Sequence, residues 1–241
     1  MQFSLCSRWM QRQTYVGDVV WIIVDDCYPK TTDHVAENFK DRWTIVKVYP
    51  TPVWQGENTQ ARNISAGVKA MQQNFKAENI DAVFIIEDDD YYRANYIERM
   101  MANFGSYSLI GERNTIYYNV FHRRYITNPN TIHASLFQTA FKIDVLPIFE
   151  SCYPAKFMDC IFWSKVPNRH LFYENDLAVG MKGMPGRGGI GAGHSKAMNM
   201  RDDSSLIYLR QLIGYEDAQV YEGYHRDSRV PQYGFFTRKR L

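Results

Sequence analysis

Apolar and polar positions change period several times along the chain, and each change marks an element. Leu5, Cys6, Trp9 and Met10 recur at three-to-four-residue spacing and predict a helix over residues 3–13; after Gly17-Asp18 the apolar run 19–24 predicts a buried strand. Thr31-Thr32-Asp33 offers caps for a helix carrying Val35, Ala36 and Phe39. Residues 44–49 predict a second strand, closed by Pro50 and Pro52. Ile64, Val68, Met71 and Phe75 fall at spacings of four, three and four, which predicts an amphipathic helix docked on a sheet. Residues 82–86 predict a third strand, and Tyr96, Ile97, Met100, Met101 and Phe104 the helix after it.

Strands alternating with helices over the first 105 residues imply an α/β fold with a mostly parallel sheet covered on both faces. Ligands of such sheets sit beyond the carboxyl ends of the strands. From residue 106 the character changes: 115–126 and 134–143 are rich in aromatic and β-branched residues and suggest antiparallel strands. A glycine-rich loop and a short helix with Leu206, Leu209 and Ile213 follow. With no repeat and no clear linker, 1–241 reads as one domain with halves 1–105 and 106–241.

Composition narrows the class. Hydrophobic residues at 45% and charged residues at 22% are ordinary for a globular protein. No apolar run reaches the roughly 18 residues of a membrane helix, and Arg8 and Arg12 interrupt any signal-peptide core. The expectation is a soluble cytoplasmic protein without a membrane partner. Cys6, Cys27, Cys152 and Cys160 lack Cys-x-x-Cys spacing, which points to reduced thiols. A net charge of +2 is too small for a global field that attracts nucleic acid. Local basic clusters at 122–125, 224–229 and 237–240 read either as solvated surface or as contacts to a phosphate backbone.

Charge placement is more informative than charge total. Glu87, Asp88, Asp89 and Asp90 run consecutively after the third apolar strand, and Asp25-Asp26 follow the first. Grouped carboxylates repel one another unless a cation is bound, and hard oxygen ligands suit Mn2+ or Mg2+. A helix amino terminus accounts for one or two of the four, since acidic residues there favour the helix dipole.

Three segments carry a family resemblance. "WIIVDDCYPKTTD" (21–33), "NTQARNISAGVKAM" (58–71) and "FIIEDDDYYRANYIERM" (84–100) resemble, in order, the nucleoside-binding strand end, the Ala-Arg-Asn helix and the DxD segment of family-2-like GT-A glycosyltransferases. The resemblance spans about residues 1–165 and implies a GT-A (Rossmann-like) fold with a nucleotide-sugar-binding half and an antiparallel acceptor-side half. By position it implies that Asp26, with Asp25 beside it, binds the nucleobase or ribose and that Arg62 lines the nucleotide site. Glu87 takes the first DxD place, with Asp88 next to it. Asp89 becomes the foremost metal ligand, and Asp90 follows it. Cys27 stands where the family has Gly, and because the sequence starts almost inside the first helix, the family's opening strand is expected either to be truncated or to be replaced by another segment.

Later segments extend the expectation. In "GMKGMPGRGGIGAGH" (180–194) glycines let the backbone approach a ligand, while Lys182 and Arg187 add positive charge for a diphosphate. His194 ends this loop, either as a further metal ligand or as a structural residue. "KFMDCIFWSK" (156–165) resembles the stretch where inverting members place the catalytic base, which would make Asp159 the base; Asp176 is the rival, and a helix cap is the plain alternative for either. His133 and Ser135 stand where the family's sheet lines sugar and acceptor, although their neighbours equally suit strand packing.

The resemblance therefore implies metal-dependent transfer of a sugar from a nucleoside diphosphate sugar, by family habit a UDP-sugar, to a hydroxyl. The sequence is also similar to bacteriophage-encoded members, some of which glycosylate hydroxymethylated pyrimidines in DNA; modified DNA is thus an expected partner, in the host cytoplasm if the chain is phage-encoded. Surface glycans and small molecules compete as acceptors. A nucleotidyltransferase and a catalytically silent GT-A-like binding module are the other classes compatible with an acidic sheet edge.

Overall fold

The computed structural model describes residues 2–27, 32, 39, 42–52, 59–153, 155–174, 176–184 and 199–223. Apart from Thr32 and Phe39 the expected helix over 31–39 lies outside these residues, as do the glycine-rich loop beyond Met184, Arg187, His194 and the basic clusters at 224–229 and 237–240.

The first helix, α1 (Gln2–Gln11), presents Leu5, Cys6, Trp9 and Met10 to the core, each at most 2% exposed. Strands β1 (Val20–Val24) and β2 (Thr44–Val48) then pair in parallel, Val20 opposite Thr44 through Val24 opposite Val48. Helix α2 (Thr59–Asn74) buries Val68, Ala70 and Met71, the face its period predicts. After β3 (Val83–Phe84) and β4 (Tyr91–Tyr92) comes α3 (Tyr96–Ala102).

The second half opens with β5 (Leu109–Glu112) and the antiparallel pair β6 (Thr115–Asn119) and β7 (Arg124–Asn128). It continues through β8 (Thr139–Phe141), α4 (Leu146–Glu150), α5 (Met158–Lys165), β9 (Arg169–Phe172) and β10 (Ala178–Lys182). Strand β11 (Arg201–Asp202) and helices α6 (Ile207–Ile213) and α7 (Tyr215–Glu222) complete the described chain.

These strands form three sheets: β1-β2, β11-β7-β6-β10-β4 and β3-β8-β5-β9. The sheet expected to be mostly parallel is mixed. Among the described residues β1·β2, β6·β10 and β5·β9 are parallel, whereas β8 lies antiparallel to both β3 and β5, and β4 antiparallel to β10. An apolar run specifies burial but not the partner or its direction, and here β8 from the second half is the neighbour of β3.

The third strand is also shorter than its apolar run. Regular pairing stops at Phe84, and Tyr91-Tyr92 already belongs to another sheet. Glu87–Asp90 is therefore the turn by which the chain crosses between sheets, with Asp90 N–H reaching Glu87 O at 3.3 Å.

Two apolar clusters hold the layers. One gathers α1, α3, α6 and α7 around β4, β6 and β10, with Trp9, Tyr92, Tyr96, Met100 and Tyr118 nearly or fully buried. The other packs α2, α4 and α5 on β5 and β8 through Met71, Leu109, Phe141, Phe149, Phe162 and Trp163. A buried carboxylate joins α1 to α7: Asp217, 1% exposed, accepts hydrogen bonds from Trp9 Nε1 and Arg12 Nη1, both at 2.8 Å, and pairs with Arg8 at 2.9 Å.

Candidate active site

The acidic turn is assembled by the sheet crossing. Tyr92, buried in β4, reaches back with its hydroxyl to accept the Glu87 N–H at 2.7 Å, which pins the start of the turn over its end. Ligand oxygens of Glu87, Asp89 and Asp90 then lie within 4.8 Å of one another. Asp90 is fully buried; its Oδ1 accepts hydrogen bonds from Met181 N–H at 2.8 Å and Lys182 Nζ at 2.9 Å, but its Oδ2 is buried with no partner among the described residues. An unmet buried carboxylate oxygen costs free energy unless something positive reaches it.

Electrostatics in the turn point the same way. Loss of solvation pushes the Glu87 carboxyl up to about 7; Lys182 opposes the rise, while Asp89, Asp159 and Asp88 add to it. Burial likewise pushes Asp90 up against the pull of Lys182. For Lys182 burial alone would favour the neutral amine, but Asp90, Asp89 and Glu87 outweigh it and hold the ammonium charged. Among the described residues one lysine thus faces several carboxylates. The donor set is all oxygen, with an unsatisfied buried atom, and fits Mg2+ or Mn2+.

Lys182 occupies a different place from the one expected. Its Nζ stands 5.9 Å from the Tyr117 ring centroid and 5.8 Å from that of Phe137, and the residue is 7% exposed. It is the counter-charge inside the turn, not an open cation for a diphosphate. Gly180 allows this packing, because a Cβ there would collide with Tyr117.

The end of β1 is a second polar locus. Asp25, 4% exposed, turns its carboxylate onto the chain that follows: Oδ1 accepts from Cys27 N–H at 3.0 Å, and Oδ2 from the Thr32 amide at 3.2 Å and hydroxyl at 3.0 Å. It shapes the turn, which leaves Asp26 as the outward carboxylate of the pair. Asn63 on α2 donates to Asp26 Oδ2 at 2.8 Å, and Arg62 Nη2 donates to Pro52 O at 2.8 Å.

The two candidate bases separate. Asp159, in the first turn of α5, is close enough to raise the Glu87 carboxyl, and its Oδ1 accepts the Cys160 N–H at 2.9 Å. His133 lies against it, with Nε2 3.4 Å from Cys160 Sγ. Asp176 instead adopts a left-handed backbone (φ 64°) and pairs with Arg93 at 3.8 Å. Burial raises its carboxyl and Arg93 opposes that rise.

Ser135 is buried in a polar chain that the sequence did not reveal. Its Oγ lies 3.0 Å from Thr115 Oγ1 and 2.9 Å from Tyr117 OH; Thr115 Oγ1 donates to Gln138 Oε1 at 2.7 Å, and Gln138 Nε2 donates to Glu112 at 3.0 Å. Burial pushes the Glu112 carboxyl up to about 8 despite the bonds from Leu177, Gln138 and Ala178. The available signal was a lone acid ending the apolar strand "LIGE".

Comparison with known proteins decides the family. The sequence profile described as "Glycosyl transferase family 2" matches residues 10–160, which include Asp25-Asp26, the acidic turn and Asp159. The chain belongs to this family. Solved structures agree with the fold. TarS of S. aureus superposes with a TM-score of 0.52 at 11% identity, over 75% of this chain and 34% of that one. TarS 1-349 in complex with UDP-GlcNAc gives 0.52 at 13% identity over 78% and 56%, and its complex with UDP gives 0.51 at 12% identity over 74% and 56%. This family 2 chain thus spans between a third and three fifths of the length of those structures, and at such identity the likeness concerns the fold. Comparison with curated protein sequences gives no match. Among the described residues no helix is long and apolar enough to cross a membrane.

Proposed function

We propose that this family 2 chain transfers a sugar from a nucleoside diphosphate sugar, specifically a UDP-sugar, to an acceptor hydroxyl, with a divalent cation held by Asp89, Glu87 and Asp90. The observation that carries this reading is the convergence of those three carboxylates, one with a buried oxygen that has no partner among the described residues, near Asp159 at the start of α5. A structural neighbour that binds UDP-GlcNAc supports the choice of donor.

Each residue then has a task. Asp26, oriented by Asn63, binds the nucleoside, while Asp25 holds the turn that presents it. A divalent ion at the turn supplies charge neutralisation for the leaving diphosphate. Lys182 holds Asp90 in place through the bond to its Oδ1 and opposes the rise that burial imposes on that carboxyl. Asp159 accepts the proton of the acceptor hydroxyl as that oxygen attacks, which gives inversion at the sugar. Asp176, already paired with Arg93, is the weaker candidate for the base.

For the acceptor, support comes from exposed apolar and aromatic residues in the two segments that carry His133 and Asp159, where Ile132, Phe157 and Ile161 are 72%, 49% and 37% exposed. An aromatic and apolar rim suits the face of an extruded base, and hydroxymethylated pyrimidine in DNA is the specific acceptor we propose. The cluster at 122–125 does not add to it: Arg123 donates to Ser204 O and Glu222 O, and Arg124 pairs with Asp202. The test is incubation with a panel of nucleotide sugars and Mn2+, against hydroxymethylated and unmodified DNA, followed by nucleoside mass spectrometry. Sugar on hydroxymethylated nucleosides confirms the proposal. UDP release with no modified nucleoside removes the DNA acceptor and keeps the enzyme; pyrophosphate release would establish a nucleotidyltransferase instead, and no donor turnover a binding module.

A further inference from the structure

Apart from the acidic turn, one group of ligating side chains converges among the described residues: His133, Asp159 and Cys160 each place one ligand atom within 4.8 Å of the others. The transfer reaction has no use for the thiol. The donors are chemically unlike those of the turn, because imidazole, thiolate and a single carboxylate suit a borderline-soft ion such as Zn2+ better than Mg2+ or Mn2+. Spacing agrees with that chemistry. Cys160 Sγ is 3.4 Å from His133 Nε2; two ligands of a tetrahedral zinc ion at ordinary Zn–S and Zn–N lengths stand about 3.5 Å apart.

The backbone prepares this arrangement. Asp159 and Cys160 are adjacent in the first turn of α5, and the Cys160 N–H bond to Asp159 Oδ1 sets the carboxylate's orientation. His133 Nδ1 is buried with no partner among the described residues, so no acceptor commits the ring to one tautomer, and Nε2 can offer its lone pair. Burial and the Asp159 carboxylate push the Cys160 thiol up, which keeps it protonated without a cation. Cys160 is nevertheless exposed enough for an ion to reach it.

We propose that His133, Asp159 and Cys160 form a second metal site, specific for Zn2+ or a similar borderline-soft divalent ion and separate from the acidic turn. Binding forms bonds from the ion to Nε2, a carboxylate oxygen and Sγ, and releases the thiol proton to solvent. Three protein ligands leave a fourth position for water. A consequence rests on the proposed transfer reaction, in which Asp159 is the base: Zn2+ occupies that carboxylate and inhibits transfer, whereas Mg2+ or Mn2+ at the turn supports it.

Co2+ is the probe, titrated into the full chain with excess Mg2+ present to fill the acidic turn. The expected result is a near-ultraviolet sulfur-to-cobalt charge-transfer band saturating at one equivalent. Cys160→Ser abolishes the band, His133→Gln weakens Co2+ binding at least about tenfold, and Asp89→Ala leaves it unchanged. No band in the wild type, or a band that survives Cys160→Ser and disappears with Cys27→Ser, overturns the proposal. Should Cys160→Ser misfold, Zn2+ protection of Cys160 from iodoacetamide in the wild type, read by peptide mass spectrometry, decides the matter: protection supports the site and unchanged alkylation overturns it. No sugar donor enters these measurements, so failure of the site and failure of the transferase reading are distinguishable. A site confirmed in this way that leaves transfer uninhibited by Zn2+ overturns the role of Asp159 as base.

Discussion

Asp90 and Asp217 are both buried carboxylates held by cations from distant parts of the chain, yet they serve opposite ends. Asp217 has a cation for each oxygen, Arg8 at 2.9 Å and Arg12 at 2.8 Å, with the Trp9 indole in addition. Its partners are long side chains whose guanidinium groups reach water, at 39% and 45% side-chain exposure, so the charges balance and α1 closes onto α7, although Oδ1 meets Arg8 as an ion pair without hydrogen-bond geometry. Among the described residues Asp90 has one cation, Lys182, for one oxygen, has no partner for the other, and sits among Glu87, Asp88 and Asp89. Burial with charge balance makes a clamp, whereas a buried carboxylate oxygen without a partner among the described residues leaves a place that fits the cation we propose.

The comparison is sharpest at Asp89. Asp89→Ala is expected to lower transfer roughly a thousandfold, the scale of removing an electrostatic group that acts on developing charge, with thermal stability preserved; product formation under saturating donor and Mn2+ checks it. Surviving activity would move the metal site elsewhere.

Asp217→Ala should do the reverse. Loss of its charged hydrogen bonds costs about 2–3 kcal/mol of folding stability, with the Trp9 N–H left unpaired and both arginines free to rehydrate. Urea denaturation reads the loss, while transfer per folded molecule stays at the wild-type level.

A pH series separates the acidic turn from the balanced clamp. The Glu87 carboxyl is raised from 4.5 to about 7 and that of Glu112 to about 8, so the folded chain holds more protons than the unfolded one between these values. Stability of the metal-free protein therefore falls as pH rises from about 4.5 to about 8. Mn2+ should reverse the part due to Glu87, and its affinity should weaken as pH falls through about 7 and Glu87 takes up a proton. Melting curves with and without Mn2+ test this: Glu87→Gln should remove the metal-dependent part and Glu112→Gln the share lost towards pH 8, with the contributions of Asp90 and Asp176, also raised by burial, left in place. A metal-dependent part unchanged in Glu87→Gln would take Glu87 out of the ligand set.

The smallest effect is expected at the end of β1. Asn63→Ala removes the hydrogen bond that orients Asp26, worth about 1 kcal/mol, and should raise the donor KM a few-fold with kcat unchanged. A fall in kcat instead would place Asp26 in the chemistry rather than in nucleoside binding.

Much of the fold is legible in the sequence because its signals are local. The face of α2 follows from the spacing of Val68 and Met71, and the pairing of β1 with β2 from two apolar runs bounded by polar and proline residues. The third strand is shorter than its apolar run predicts, since the run through Ile86 is apolar for burial while only Val83-Phe84 keep regular pairing. The sheet is less parallel than the alternation of strands and helices implies, because β8 arrives from the second half to lie beside β3. In the site, the acidic run announces itself by charge. The division of labour inside it does not, because Lys182 reaches Asp90 across 92 positions and turns an expected diphosphate contact into an internal counter-charge.

By itself the sequence determined the family, the class of fold and the run of four acidic residues at 87–90, since these depend on residue types and short spacings that survive any change of context. Only the tertiary structure decided which carboxylates are satisfied. It closed Asp25 onto Cys27 and Thr32, locked Asp217 between two arginines, left one oxygen of Asp90 without a partner among the described residues, and set His133 against Cys160. The physical reason is that solvation and charge balance depend on what surrounds a side chain in space, and those neighbours come from segments that the order of residues along the chain does not pair.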